Sequence, residues 1–181
     1  FFLVKDIDKA VEEFNIAKSL DPNDTKPRFL LALAYAALNK FDLAQKEYED
    51  VVRINPNDIA ALGSLADLLV VQEKMTDAVG IYEKLIENEK GSSLLYFNLG
   101  VIYSRLGKLS PAIAMLNKAV ELDPDYLEAY IGLGVLCEMK KDLFGAISNF
   151  EKALRIDPLN MKVYYSLGNL YYRANRRDDA T

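Results

Sequence analysis

The residue types that carry out most hydrolytic and metal chemistry are scarce in this sequence. Its 181 residues include no histidine and one cysteine, Cys137. Histidine is the common general base and zinc ligand near neutral pH, and it often activates a cysteine nucleophile. A single thiol cannot close a disulfide within one chain. We therefore interpret Cys137 as a buried structural thiol, and we expect no catalytic residue, no metal site and no cofactor.

Two glycine-containing segments have part of a phosphate-binding pattern. After Gly132 and Gly134, Cys137 stands where the third glycine of a dinucleotide-binding turn would be, and no strand precedes the segment. Gly107-Lys108 has no glycine five residues upstream and no Ser or Thr after it. We interpret the first segment as helix packing and the second as a turn between two helices.

Composition and charge exclude two further classes of function. The sequence has 22 Lys+Arg against 27 Asp+Glu, a net charge of −5. Binding to phosphates requires a basic surface, so we expect no nucleic-acid partner. The most apolar stretches, residues 62–71 and 129–137, are too short for a bilayer span, so we expect no membrane insertion. Acidic residues such as Asp123 and Asp157 recur where turns are expected, and capping explains them without a metal.

Prolines show that the sequence repeats. Pro22, Pro56, Pro124 and Pro158 fall on one 34-residue grid, whose vacant position is Lys90. Each proline follows an apolar residue and then Asp or Asn, which is typical of a helix that ends before a turn. The grid therefore predicts helix ends at a fixed interval.

Between the prolines, each unit has two amphipathic stripes of helical spacing. Tyr96, Leu99 and Tyr103 represent the first stripe, and Leu116 and Ala119 the second. One position in each stripe is always small: Ala32, Ala66, Gly100, Gly134 and Gly168 in the first, and Ala10, Ala44, Ala78, Ala112, Ala146 and Ala180 in the second. Glycine inside a helix costs about 1 kcal/mol relative to alanine. The glycines at the small position of the first stripe therefore indicate a steric requirement, which a close crossing of the two helices supplies.

On these residues the chain resembles the tetratricopeptide repeat family over its whole length. The segments 96–100, 164–172 and 118–124 follow the family pattern. The resemblance implies an all-α fold, a right-handed superhelical solenoid of antiparallel helix pairs. We expect residues 1–181 to be one array fragment with partial repeats at 1–24 and 161–181 and complete repeats at 25–58, 59–92, 93–126 and 127–160.

The unit 59–92 departs most from the pattern. Gly63 and Gly80 lie inside its helices, Asn88 replaces an apolar residue, and Lys90 replaces proline. Either this unit is a flexible joint, or one missing turn proline is simply tolerated.

The resemblance also implies that the first helix of each pair lines a concave groove. By alignment the predicted groove residues are Phe29, Leu33, Asp67, Phe97, Asn98, Val101, Arg105, Ile131, Val135, Asn169 and Arg173. The apolar members would form an exposed patch, unless some of them pack between adjacent first helices. Asn98 is singled out because its amide can donate to and accept from a peptide backbone. The positions where some family members bind a peptide carboxylate hold Phe29, Leu33, Ser64, Leu94 and Asn98, so that mode is not expected.

The predicted function is therefore a non-catalytic protein-interaction scaffold that holds a partner's peptide segment or helix in the groove. The alternative is the substrate-recruiting portion of a larger enzyme, such as a glycosyltransferase or phosphatase. The sequence lacks an initial Met, and we expect it to be part of a longer chain. Incomplete terminal repeats, with a face of Tyr164, Leu167 and Tyr171, predict end-to-end self-association. The localisation is unknown, with the cytoplasm favoured.

Overall fold

A computed structural model describes residues 2–88 and 92–178, with side chains described for 6–88 and 92–175. In this part of the chain the protein is all-α, with ten helices and no strand, which confirms the expected fold class. The helices are α1 (Phe2–Leu20), α2 (Thr25–Ala37), α3 (Phe41–Ile54), α4 (Ile59–Val71), α5 (Met75–Asn88), α6 (Ser93–Arg105), α7 (Leu109–Leu122), α8 (Leu127–Met139), α9 (Leu143–Ile156) and α10 (Met161–Asp178). They fall into two compact units, Phe1–Glu89 and Lys90–Thr181, which hold α1–α5 and α6–α10.

The proline grid marks helix ends, as the sequence predicts. Helices α1, α3, α7 and α9 each end two residues before one of the four prolines. The intervening aspartates act as turn residues: Asp21 Oδ1 accepts from the backbone N–H of Asn23 at 3.0 Å, and Asp123 Oδ1 accepts from Asp125 at 3.1 Å. Turn chemistry therefore explains these acidic residues. The vacant grid position, Lys90, lies outside the described residues, and the repeat boundaries stay predictions.

The turns inside the helix pairs have a second regularity. Asn39, Glu73, Gly107 and Lys141 lie 34 residues apart, and all have positive φ, at 56°, 60°, 72° and 62°. After each, a backbone N–H donates to the carbonyl five residues earlier, as in Asp142 to Cys137 at 2.8 Å. This is the left-handed turn that commonly ends an α-helix, for which glycine is best suited.

The small-residue column produces a close helix crossing in two pairs. A Cβ atom at Gly100 would lie 2.9 Å from Leu116 Cδ2 on α7, and one at Gly134 would lie 2.7 Å from Phe150 Cε1 on α9. The packing explanation is confirmed for these two glycines. For Gly168 it stays a prediction, because Ala180, the small residue of the helix that it would cross, lies outside the described residues.

Each unit buries its own core. In the first unit the largest fully buried side chains are Leu31, Val51, Leu62 and Leu85. In the second unit one cluster joins α7 and α8 through Ala112, Leu116, Ala119, Ala129, Leu133 and Leu136, and another joins α8, α9 and α10 through Cys137, Ala146, Phe150, Ala153, Val163, Leu167 and Leu170. Leu167 is only 5% exposed, so the expectation that it belongs to an open face with Tyr164 and Tyr171 is wrong. End-to-end self-association stays a prediction.

A buried carboxylate ties the first three helices together. Glu47 on α3 lies 2.6 Å from Lys18 Nζ on α1 and 3.5 Å from Arg28 Nη1 on α2. Arg28 also reaches Asp50 at 3.2 Å. A buried charge is tolerated only when it is paired, so these contacts allow Arg28 to occupy a packing position that other repeats fill with Leu or Tyr.

None of the helices in the described ranges combines the length and apolar character that crossing a bilayer requires.

Candidate functional site

The second unit has a depression on its first-helix side. It is lined by Leu127, Glu128, Ile131, Val135, Phe150, Asn160, Lys162, Val163 and Ser166, and its volume is about 340 Å³. We call it the α8–α10 depression. Phe150 and Val163 are each 1% exposed and form its apolar floor, while Glu128 and Lys162 are exposed at its rim. The surface therefore combines an apolar base with charges of both signs.

Two predicted groove residues meet in this depression. Val135 is 45% exposed, and Ile131 is half-buried because it packs against the core cluster of α8, α9 and α10. Two more lie further along α10, where Asn169 and Arg173 are exposed. Arg173 Nη1 forms an ion pair with Glu138 Oε1 on α8 at 2.7 Å, so its charge is already partly satisfied within the chain.

On α6 the predicted residues divide into packed and exposed ones. Phe97 is half-buried, and its ring centroid lies 5.0 Å from that of Tyr126. Asn98 is half-buried too, whereas Val101 and Arg105 are exposed. Phe97 therefore packs against the chain itself, whereas Val101 and Leu94 are apolar residues of α6 that are exposed to solvent.

The first unit has its own depression, lined by Ala36, Phe41, Tyr48, Ser64, Asp67, Leu68 and Val71, with a volume of about 290 Å³. We call it the α2–α4 depression. Asp67 is exposed, and Tyr82 Oη on α5 donates to its Oδ1 atom at 2.9 Å. Burial raises the pKa of the Tyr48 phenol, and a hydrogen bond with Ser64 acts against that rise. The aromatic wall is therefore neutral at physiological pH, and Asp67 is the charged residue of the lining.

The two predicted residues on α2 behave differently from each other. Phe29 is half-buried, and its ring packs edge-on against Tyr48, with centroids 5.6 Å apart and planes at 67°. Leu33 is exposed. As on α6, the phenylalanine contributes to internal packing and the aliphatic residue faces solvent.

Cys137 has the features of a structural thiol. It is buried, Asn149 Nδ2 lies 3.9 Å from its Sγ atom, and burial, with the nearby Asp142 carboxylate, raises its pKa. A raised pKa keeps the thiol protonated, which is the unreactive form. Across the described residues, no three His, Cys, Asp or Glu side chains come together as a metal site would require.

Several lining residues come from helices that the groove prediction ignored. Tyr48 and Phe41 belong to α3, and Phe150 belongs to α9. Tyr48 and Phe150 occupy the position of Leu116 in the second amphipathic stripe of their own repeats, and both are buried. A large ring on a second helix can fill the gap between two first helices and still leave one edge at the surface. The helical spacing of the second stripe does not predict this exposure.

Comparisons with known proteins agree with this architecture. Models of the tetratricopeptide repeat match residues 29–93 and 93–126, and a model of the TPR repeat matches residues 139–175. A search of curated proteins found no significant match.

Solved structures share the fold. The chain is 26% identical to the MamA protein with a TM-score of 0.78, over 86% of this chain and 85% of that one. For YrrB, described as a TPR protein with an unusual peptide-binding site, the identity is 24% and the TM-score 0.74, over 94% and 88%. The first TPR of Spaghetti (RPAP3), bound to the HSP90 peptide SRMEEVD, is 24% identical with a TM-score of 0.61. The match covers 65% of this chain and 93% of that one. With the repeat matches along most of its length, the chain belongs to the tetratricopeptide repeat family.

Proposed function

We propose that this chain is a non-catalytic protein-interaction scaffold whose first-helix surfaces bind an extended segment of a partner protein. The α8–α10 depression is the observation that carries the proposal. It offers an apolar floor large enough for an aliphatic side chain, and polar groups around it that can contact a backbone. Exposed apolar residues grouped on one surface are typical of interaction sites.

An extended segment fits this surface better than a flat protein face does. Side chains of an extended peptide alternate, so one can enter the depression between Ile131 and Val163 while its neighbours face solvent. Asn169 is exposed on α10 and can both donate to and accept from a peptide group. We expect micromolar dissociation constants, which correspond to about −8 kcal/mol.

The structural neighbours support binding of this kind. YrrB is described as having a peptide-binding site, and the first TPR of Spaghetti is described as bound to an HSP90 peptide. The aligned positions of a carboxylate-binding mode hold Phe29, Leu33 and Ser64 here, so the proposal concerns the interior of a segment rather than its C-terminal carboxylate.

Random twelve-residue peptides displayed on phage and selected on the 181-residue chain test the proposal. Val135→Glu places a charge at the mouth of the depression. It should weaken binding of those selected peptides that occupy the depression about tenfold, which is 1.4 kcal/mol. Phe144→Glu is the matched control, because Phe144 is an exposed apolar residue on the second helix α9.

Fluorescence anisotropy of the selected peptides gives the dissociation constants, and circular dichroism shows that each variant is still helical. If every selected peptide binds Val135→Glu as tightly as the parent chain, or if no peptide is selected, the proposal is wrong.

A further inference from the structure

A fixed carboxylate stands in the α2–α4 depression. Tyr82 is buried on α5, and its hydroxyl holds Oδ1 of the exposed Asp67, which lines the depression. Among the side chains that the structure describes, no lysine or arginine forms an ion pair with Asp67. A carboxylate that is already oriented loses less conformational entropy when it binds a ligand.

Most of the lining around this carboxylate is apolar. Leu68 and Val71 are aliphatic, the rings of Phe41 and Tyr48 add aromatic surface, and Ser64 contributes a hydroxyl group. Lysine and arginine have long methylene stems that pack on apolar surface while the charged end reaches a polar partner. An aromatic ring near the cation adds attraction. The depression therefore matches a basic side chain along its length: apolar contacts for the stem, and a carboxylate for the charge.

We infer that the α2–α4 depression selects a lysine or arginine side chain of the bound segment, with Asp67 as the residue that accepts the cation. The inference rests on the proposed function and adds the chemical class of the segment that the first unit takes. Charge complementarity decides the occupant, because an acidic or neutral side chain would leave the Asp67 carboxylate without a counter-charge.

The α8–α10 depression provides an internal contrast. Its rim has Glu128 and Lys162, one of each sign, so it gives no electrostatic preference. The positions equivalent to Asp67 in the next three repeats, at intervals of 34 residues, hold Val101, Val135 and Asn169. A preference for basic side chains is therefore expected of the first unit alone.

The test uses the same phage-displayed peptides, selected in parallel on the parent chain and on Asp67→Asn. Asparagine keeps an oxygen that can accept from Tyr82, so the variant removes the charge and retains the local hydrogen bond. Asp8→Asn is the matched control, since Asp8 is an exposed carboxylate on α1. We expect Lys and Arg to be enriched among peptides selected by the parent chain and by Asp8→Asn, and not by Asp67→Asn.

Replacing the basic residue of a selected peptide by norleucine then measures the contact itself. On the parent chain we expect binding to weaken about fivefold, as for a partly exposed, charge-assisted ion pair. On Asp67→Asn the same replacement should make no difference. Enrichment without basic residues, or a basic preference that survives Asp67→Asn, overturns the inference and leaves the proposed function standing. If neither chain selects any peptide, the proposed function fails, and the inference fails with it.

Discussion

Helices α4 and α8 occupy the same place in their repeats, yet their surfaces differ on both sides. On the packing side, Gly134 of α8 lies against the Phe150 ring, whereas α4 has the buried Ala66 at the equivalent position. On the first-helix side, α8 presents the exposed Val135, and α4 presents Asp67, bonded to Tyr82. The 34-residue period therefore determines where a helix lies, while the individual side chains determine what it can bind.

The largest expected effect is on stability, at the close crossing of α8. Gly134→Ala places a Cβ atom 2.7 Å from a ring that is fully buried and has little room to move. Overpacking of this kind costs about 2 kcal/mol, which exceeds the gain in helix propensity. Urea unfolding followed by circular dichroism should show the loss, and an unchanged midpoint would contradict the close-crossing explanation.

A glycine-to-alanine change on a different face, that of Gly63 on α4, should alter stability in the opposite direction. Gly63 is inside the helix and nothing lies within 4 Å of its would-be Cβ atom. Gly63→Ala should therefore raise the free energy of unfolding by about 1 kcal/mol, through helix propensity alone. The same urea titration measures it, and Gly80→Ala on α5 serves as a second open position. A destabilised Gly63→Ala would mean that α4 packs more tightly than the structure shows.

The turns that follow α4 and α8 should respond alike. Glu73 and Lys141 both have positive φ, at 60° and 62°, which is unfavourable for residues with a Cβ atom. Replacing either by glycine should stabilise the chain by about 0.5 kcal/mol, since relief of strain is partly offset by glycine's greater unfolded-state entropy. Gly107→Ala, the reverse change at the equivalent turn, should destabilise it. Thermal unfolding of the three variants tests whether these turns are equivalent.

The smallest expected effect concerns the hydrogen bond that orients Asp67. Tyr82→Phe keeps the buried ring and removes the hydroxyl group that donates at 2.9 Å. We expect stability to fall by about 0.5 kcal/mol. Binding of a basic peptide should weaken by about twofold, less than for Asp67→Asn, because the charge remains and only its orientation is lost. Anisotropy titrations on both variants test that order, and a larger loss for Tyr82→Phe would contradict it.

Much of the fold could be predicted because it depends on local chemistry that recurs at a fixed interval. An aspartate or asparagine before proline ends a helix through contacts within a few residues, so Asp21 and Asp123 could be assigned to turns from the sequence alone. The left-handed turn column was missed because glycine occupies only one of its positions, Gly107. Glu73 and Lys141 give no compositional sign of that conformation.

The candidate site was less predictable, because it depends on contacts between helices. The hydrogen bond between Tyr82 and Asp67 joins α5 to α4, and the position of Tyr82 in the second stripe, 34 residues before Leu116, predicts burial but not this bond. Phe29 and Phe97 were expected on an exposed wall and are half-buried against Tyr48 and Tyr126. Helical spacing identifies the face of the helix on which a side chain lies, but it does not predict how much of that side chain a neighbouring ring covers.

Photo-crosslinking tests most directly whether the first-helix surfaces bind the partner segment. A selected peptide with a photoreactive side chain in place of its aliphatic residue is irradiated on the 181-residue chain, and mass spectrometry identifies the linked residues. We expect crosslinks to the lining of the α8–α10 or α2–α4 depression, including Val135 or Val71. Crosslinks confined to the outer surfaces of α7 and α9, or of α3 and α5, would contradict it.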